Sequence, residues 1–364
     1  MKLSLKQKEA LKQVERWYKA KDKPVFRLFG YAGTGKTTLA KYFAESLNVN
    51  VMFAAYTGKA AKVLRDKGAT NASTIHSLIY RPITEIGEKE PSFVLNRESE
   101  INLSDLVVID ECSMVDEKLG KDLLSFGIPL LVLGDPGQLP PIGQGGYFTN
   151  HKPDIQLEEI FRQEKGNNIL HFSKLAREGC EIPYGDFGDV RVISKYELNS
   201  DIVLQAEQIL VGRHKTRRLY NARMRELFGF TGPFPVAGDK LIAQRNDIRK
   251  GLLNGSCWRT IEGSKSTTKN YVRLLLSSED EPNTVVRVKL LKQQFEFPEQ
   301  EIDWRVKKNY DEFEYGYAIT VHKSQGSQWD NVVLFDDSYA FREDRTKWLY
   351  TGITRAVKQL TIVR

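Results

Sequence analysis

Residues 30–37 read Gly-Tyr-Ala-Gly-Thr-Gly-Lys-Thr, between the apolar run Val25–Phe29 and the helical pattern Thr38–Leu47. No other segment constrains the fold as strongly. A glycine-rich turn that follows a strand and opens a helix lets backbone N–H groups face phosphate oxygens. The helix N-terminus adds partial positive charge at the same point. Gly33, Thr34, Gly35, Lys36, Thr37 and Thr38 are therefore the candidate phosphate cradle. Lys36 is expected to reach the β- and γ-phosphates, and the Thr37 hydroxyl to ligate Mg²⁺.

Further along, LVVIDE places Asp110 and Glu111 at the end of an apolar strand. After a phosphate loop, a carboxylate there suits Mg²⁺, and its neighbour suits activation of water as a general base. The next apolar run ends in Gly134-Asp135-Pro136-Gly137-Gln138-Leu139-Pro140-Pro141. Gly and Pro at this density fix a loop. From local chemistry, Gln138 is either a γ-phosphate contact or part of an ordinary tight turn. Ser4-x-x-Gln7 is a capping box, and the Gln7 carboxamide is also a candidate adenine contact. Arg162 and Arg355 are candidate arginine fingers, with surface ion pairs as the alternative.

Short apolar runs (Val25–Phe29, Val51–Ala55, Leu106–Ile109, Ile128–Leu133) alternate with helical patterns. The alternation predicts a doubly wound α/β core with buried parallel strands. Residues 4–20 read as an amphipathic helix capped by Ser4, with Leu11, Val14, Trp17 and Tyr18 at helical spacing. A second rhythm follows in Gln208–Val211, Lys240–Ala243, Tyr317–Val321 and Asn331–Phe335. Two stretches interrupt these patterns. Residues 82–104 read as a small hairpin, and 255–310 as a β-rich insertion in which Tyr271–Leu276 and Val285–Leu291 form a hairpin.

Lys plus Arg is 54 and Asp plus Glu is 47, a net charge of +7 that permits a polyanionic partner. Hydrophobic residues at 41% and charged residues at 28% fit a globular chain and argue against disorder. No run approaches the ~18 apolar residues of a membrane span. The polar segment MKLSLKQKEALKQV does not read as a secretory signal. Cys112, Cys180 and Cys257 form no CxxC pair, which argues against a disulfide scaffold or zinc ribbon and predicts a reducing cytoplasm.

The motifs form an ordered series. Gln7, GYAGTGKT, AYTGKAAKVL (Ala55–Leu64), STIHSL (Ser73–Leu78), VVIDECSM (Val107–Met114), GDPGQLPPI (Gly134–Ile142), EIFRQ (Glu159–Gln163), GYAITVHKSQGSQWDNVVLF (Gly316–Phe335) and LYTGITRA (Leu349–Ala356) run almost end to end. In this the chain resembles superfamily 1 helicases, and within them the 5′→3′ branch that contains the phage Dda and RecD-like helicases. The resemblance implies two RecA-like P-loop domains with ATP between them. They would occupy 1–81 with 105–181, and 182–254 with 311–364. It makes 82–104 a wedge hairpin in the first and 255–310 an SH3-like insertion in the second.

By motif match, Lys36, Thr37, Asp110 and Glu111 would serve phosphate, Mg²⁺ and water activation. Gln138 would sense the γ-phosphate, Arg162 and Arg355 would reach it, Gly326 would approach the nucleotide and Gln7 would read adenine. Single-stranded DNA would meet Thr57, Lys59, Thr74 and His76 in the first core, and Thr320, His322 and Lys323 in the second. Hydroxyl, imidazole and ammonium groups all donate to phosphate. A lone histidine more often sits satisfied in a core, and the motif positions of His76 and His322 reverse that preference. Phe93 is either an exposed wedge or packing inside its own hairpin.

The implied activity is ATP-dependent 5′→3′ DNA unwinding by a cytoplasmic monomer that uses Mg²⁺. It would act on single strands and single-/double-strand junctions, with a single-strand-binding or replication protein as further partner. The rivals are a translocase that strips proteins with little unwinding, an ATP-switched single-strand-binding module, and an RNA helicase. Against the family pattern this sequence reads as compact, without a long N-terminal extension, a nuclease-like addition or a cysteine-rich zinc module, so partners recruited through such additions are not expected.

Overall fold

The computed structural model describes residues 3–83, 92–141, 146–158, 167–263, 269–281 and 283–364. Contacts divide the chain into two compact units, one reaching Asn167 and the other running from Asn168 to Arg364.

The first unit begins with α1 (Leu5–Ala20), where Ser4 and Gln7 form a complete capping box. Its buried stripe is Gln7, Ala10, Val14 and Trp17, and the chain leaves it through a left-handed Lys21. There follow β1 (Val25–Gly30), α2 (Lys36–Leu47), β2 (Val51–Ala55), α3 (Gly58–Asp66), β3 (Ser73–Thr74), α4 (Ile75–Ile79), β4 (Tyr80–Ile83), β5 (Ser92–Leu95), β6 (Leu106–Asp110), α5 (Glu117–Leu124), β7 (Leu130–Gly134) and β8 (Ile155–Leu157). The main sheet has the order β3-β2-β6-β7-β1-β8 and every pairing in it is parallel.

Alternate residues of these strands feed two cores, because successive side chains leave opposite faces of a sheet. Phe26, Leu28, Val108 and Leu131 pack with α1, α2 and α3. Phe29, Val107, Ile109 and Val132 pack with α4, α5 and Phe148. A sheet covered on both faces explains why its strands read as unbroken apolar runs.

The second unit comprises α6 (Asn168–Glu178), β9 (Gly185–Asp186), β10 (Val190–Ile193), α7 (Ser200–Leu204), β11 (Gln208–Val211), α8 (His214–Leu227), β12 (Lys240–Ala243), β13 (Cys257–Gly263), β14 (Tyr271–Ser278), β15 (Val285–Leu291), α9 (Gln293–Glu296), α10 (Trp304–Lys307), β16 (Phe313–Tyr315), β17 (Ala318–Thr320), β18 (Trp329–Phe335), α11 (Arg345–Ile353) and β19 (Ala356–Val363). One sheet has the order β17-β11-β18-β19-β10-β9, parallel except for the edge strand β9. A second sheet, β15-β14-β13-β12-β16, is antiparallel throughout. Its core is built on Trp258, Phe313, Leu274 and Val288. The chain passes from β16 back to β17 through Gly316 and Tyr317, whose carbonyls both accept from buried Gln208 Nε2 at 3.0 Å.

The structure departs from the sequence reading at three points. Lys240–Ala243 is a strand, but it pairs with β13 and β16 in the antiparallel sheet rather than with the parallel one. That sheet therefore reaches beyond 255–310 on both sides. Helix α6, expected in the first core, packs against α11 and β19 and belongs to the second unit. The hairpin begins earlier than expected, with Tyr80–Ile83 paired to Ser92–Leu95, and residues 100–103 form a 3-10 turn outside it. Among the described residues no helix is long and apolar enough to cross a membrane.

Candidate functional site

Because the first sheet is parallel, the loops after β1, β2, β3, β6 and β7 all emerge at one edge. Ligand sites of open α/β sheets form at this carboxyl edge. The fold thus gathers the phosphate loop, Thr57, Thr74, Asp110 with Glu111, and Gln138 along a single rim.

The phosphate loop joins β1 to α2. Gly33 and Gly35 have φ of 83° and 81°, a region L side chains rarely adopt, so the loop's tight course depends on glycine. Thr34 is fully buried and its hydroxyl donates to Tyr31 O at 2.9 Å. Lys36 Nζ turns back and donates to Gly30 O at 2.6 Å and Tyr31 O at 3.1 Å. Thr37 and Thr38 lie in the first turn of α2.

Gln7 is 1% exposed and serves two partners. Its Oε1 accepts from Ser4 N at 3.0 Å, completing the cap of α1, and its Nε2 donates to Thr34 O at 3.3 Å. The capping and ligand-side readings are therefore compatible. One amide hydrogen and one acceptor position remain beyond these bonds.

Asp110 is buried at the end of β6, and its Oδ1 accepts from Glu111 N at 2.9 Å. Glu111 has φ 54° and ψ 43°, a left-handed conformation costly for a non-glycine residue. The next residue, Cys112, is fully buried. Burial, then the carboxylates of Asp110 and Glu111, push its thiol far above the ordinary range, and Lys36 and Arg27 oppose this. Such a thiol is inert packing. Gln138 is 6% exposed, and its Oε1 has no hydrogen-bond partner among the described residues. A buried open acceptor is a group that a ligand or water donor would satisfy.

These residues fit a nucleotide carrying Mg²⁺. Among the described residues, no cluster of three metal-ligating side chains occurs. One hydroxyl and one carboxylate form the donor set of an ion held mainly by phosphate and water.

Further along the rim, Thr57 caps α3 by accepting from Ala60 N at 3.1 Å, and Lys59 lies in the first turn of that helix. Thr74 caps α4 through Ser77 N at 3.1 Å. Both hydroxyls thus have structural tasks. The His76 ring lies 5.7 Å from the rings of Tyr56 and Tyr80, and desolvation lowers its pKa against the pull of the Asp116 carboxylate. Sequence reasoning missed these flanking tyrosines, although Tyr56 lies within the Ala55–Leu64 motif and Tyr80 two residues beyond the Ser73–Leu78 motif. Phe93 is 61% exposed, which removes the reading in which it packs its own hairpin.

In the second unit the candidates separate to opposite edges of the parallel sheet. Thr320 ends β17, and His322 and Lys323 follow it, at its carboxyl edge. Gly326 precedes β18 and Arg355 precedes β19, at the amino edge. Gly326 has φ 77°. Arg355 is 3% exposed and donates to Thr351 O at 3.0 Å, Ser327 O at 3.3 Å and the Thr354 hydroxyl at 3.1 Å. Its guanidinium is thereby fixed against the Gly326–Ser327 turn. Arg162 lies outside the described residues.

Lys323 is half-buried and donates to Gln244 Oε1 at 3.1 Å and to Asn254 Oδ1. Burial, with Arg217 nearby, lowers its pKa to about 8. Burial also lowers the pKa of His322, which Asp344 opposes and His214 reinforces. The His322 ring lies 5.4 Å from Phe341, which stacks on Trp348. Gln244 and Phe341 had no sequence signal, since both come from outside the motifs.

Residues 2–195 match the family model described as an AAA domain, more than half of the 364 residues. Residues 315–363 match a UvrD-like helicase C-terminal domain. The ATP-dependent RecD2 DNA helicase of Deinococcus radiodurans is 26% identical over 362 aligned residues, covering 90% of this chain and 45% of that one. The ATP-dependent DNA helicase dda of enterobacteria phage T4 is 34% identical over 164 residues, covering 41% of this chain and 37% of that one. This chain therefore spans less than half the length of either relative. A crystal structure of Bacteroides Pif1 helicase with ADP-AlF3 and ssDNA matches with a TM-score of 0.60 and 20% identity, over 100% of this chain and 92% of that one. At that identity the likeness concerns the fold.

Proposed function

Since the chain belongs to the superfamily 1 helicases, in the branch of the RecD-like and Dda enzymes, we propose that it is an ATP-dependent DNA helicase moving 5′→3′ on single strands. The observation that carries the reading is the shared rim of the first parallel sheet. It brings the Lys36 loop, buried Asp110, strained Glu111 and the open Gln138 acceptor to one edge, with Thr57 and Thr74 further along it.

On this reading the loop amides and Lys36 hold the ATP phosphates, and Gln7 reads adenine. Lys36 exchanges the Gly30 carbonyl for phosphate oxygens when nucleotide enters. Thr37 and Asp110 would hold Mg²⁺, which supplies charge neutralisation between phosphates when bound. Glu111 accepts the proton of the attacking water. Gln138 orients on the γ-phosphate, and Arg162 and Arg355 offset transition-state charge.

Thr57, Lys59, Thr74, His76, Thr320, His322 and Lys323 donate to the DNA backbone. Alternating grip by the two units turns hydrolysis into movement. The exposed Phe93 acts as the wedge at a duplex junction, the five-stranded sheet is the SH3-like insertion, and the protein works as a monomer beside a single-strand-binding protein.

The test is strand separation on two tailed duplexes, one with a 5′ overhang and one with a 3′ overhang, with Glu111→Gln as control. Unwinding of the 5′-tailed substrate alone, lost in the variant, supports the reading. Unwinding from the 3′ tail overturns the polarity. DNA-stimulated hydrolysis without unwinding of either substrate makes the protein a translocase.

A further inference from the structure

The antiparallel sheet of the second unit has a cationic outer face to which the reading above gives no task. Along β14 and β15, Val272, Leu274, Leu276, Val286, Val288 and Leu290 enter the core of that sheet. The alternate positions face outward. The register sets Arg273 directly opposite Lys289, and Leu275 opposite Arg287. Like charges in opposed antiparallel positions destabilise a sheet.

Nearby cations are neutralised, since Arg245, Lys250 and Arg259 pair with Glu312, Asp311 and Glu279. Among the described residues, Arg273 and Arg287 have no ion-pair partner. The two strands border a cavity of ≈ 490 Å³ whose lining includes two carboxylates. Asp311 is committed to Lys250, which leaves Glu262 to oppose the patch.

Lys289 Nζ lies 4.3 Å from the ring centre of Tyr271 and 4.5 Å from that of Tyr310. Lys269 and Arg273 each approach Tyr271 at 5.6 Å. This concentration of cations registers on Tyr271, whose phenol is lowered first by its bond with Lys269 and then by the surrounding charge.

We propose that the outer face of β14 and β15 binds the phosphate backbone of duplex DNA through Arg273, Arg287 and Lys289. The inference rests on the DNA-dependent reading above and adds to it a second, sequence-independent contact. A surface built for single strands offers open aromatic faces on which bases stack. Here the Lys289 ammonium takes up one face of each tyrosine, and Lys269 and Arg273 crowd Tyr271, so charge dominates this face over open rings. Arg and Lys contacts to phosphate position a duplex without reading its sequence.

The experiment uses the full chain, wild type and Arg273→Gln/Arg287→Gln. Binding is measured by fluorescence anisotropy across a salt series, with a blunt duplex and a single-stranded oligonucleotide as separate probes. Two lost phosphate contacts should reduce the log–log salt slope on duplex by about 1.8. Single-strand affinity and single-strand-stimulated ATP hydrolysis should stay unchanged. The variant should melt at the wild-type temperature or above it, because an opposed pair of like charges is gone. Unchanged duplex affinity and slope would overturn the inference. An equal loss on the single-stranded probe would overturn it too, by making the face a single-strand site. Wild-type protein that hydrolyses no ATP with DNA would defeat the helicase reading alone, since the blunt-duplex titration needs neither ATP nor movement.

Discussion

The backbone amide of Glu111 donates to the carboxylate of Asp110 at 2.9 Å, while Glu111 itself is held at φ 54°. The bond and the strained backbone fix the two carboxylates relative to each other at the end of a buried strand. A non-glycine residue in this conformation costs roughly 1–2 kcal/mol. Glu111→Gly should therefore raise the melting temperature while abolishing ATP turnover. Glu111→Gln keeps the shape and should reduce turnover on the order of 10²–10⁴-fold, the range for loss of a general base. Thermal unfolding and steady-state hydrolysis check both. A glycine variant that melts lower than wild type would show that the conformation stores no strain.

Gln7 connects the cap of α1 to the phosphate loop, so two substitutions separate its tasks. Gln7→Glu keeps an acceptor for Ser4 N but has no donor for Thr34 O. Gln7→Ala loses both and should cost on the order of 1 kcal/mol, as removal of a cap does. Both should raise the KM for ATP, and both should erase discrimination against GTP. Retained selectivity for ATP in the two variants would leave Gln7 a brace of the loop and not a reader of adenine.

The phosphate loop and the Asp110–Glu111 pair were legible because their chemistry is local. Each is a few consecutive residues whose strand and helix neighbours can be read beside them. Lys240–Ala243 was legible as a strand and not as a member of its sheet. A four-residue apolar run suits a parallel core or an antiparallel sheet equally, and only its pairing with Trp258 and Tyr315 decides. Helix α6 has the same ambiguity, since its apolar face does not say which sheet it covers. The exposure of Phe93 and the inward turn of Arg355 are likewise set by distant segments, as is the Gln244 contact to Lys323.

Arg225 and Asp239 form a buried pair that no motif marked. Arg225 Nε donates to Asp239 Oδ1 at 3.0 Å, and its other nitrogens donate to Gly232 O at 2.6 Å and Phe234 O at 3.0 Å. Asp239 also accepts from the Tyr317 hydroxyl at 3.0 Å and Val236 N at 2.8 Å. The pair thus ties α8, the turn before β12 and the return to β17. Removing one partner leaves an uncompensated buried charge, so Asp239→Asn should cost about 3–5 kcal/mol in chemical denaturation. Arg225→Met with Asp239→Leu should cost much less. Equal losses in the two proteins would mean that the pair's geometry, and not its charge balance, holds the junction.

Lys323 gives the protein a titration close to neutrality. Its folded pKa of about 8 is set by burial first, then by Arg217 on α8, with Cys257 on β13 opposing. Its direct partners Gln244 and Asn254 are neutral, so among the described residues no carboxylate bonds to it directly to restore the charge. In the unfolded chain a lysine titrates at about 10.4. Between these values the unfolded state binds more protons than the folded one, so this residue's contribution to stability rises with pH from about 8 and levels off near 10.4. On the proposed DNA contact, its effect on binding runs the other way, because a neutral amine no longer attracts phosphate. Wild-type protein compared with Lys323→Met should therefore gain stability and lose its advantage in single-strand affinity over the same alkaline window. Urea denaturation and anisotropy at pH 7, 8, 9 and 10, each read as the difference between the two proteins, measure the two trends. A difference in affinity that stays constant with pH would remove Lys323 from the DNA contact or its charge from the titration.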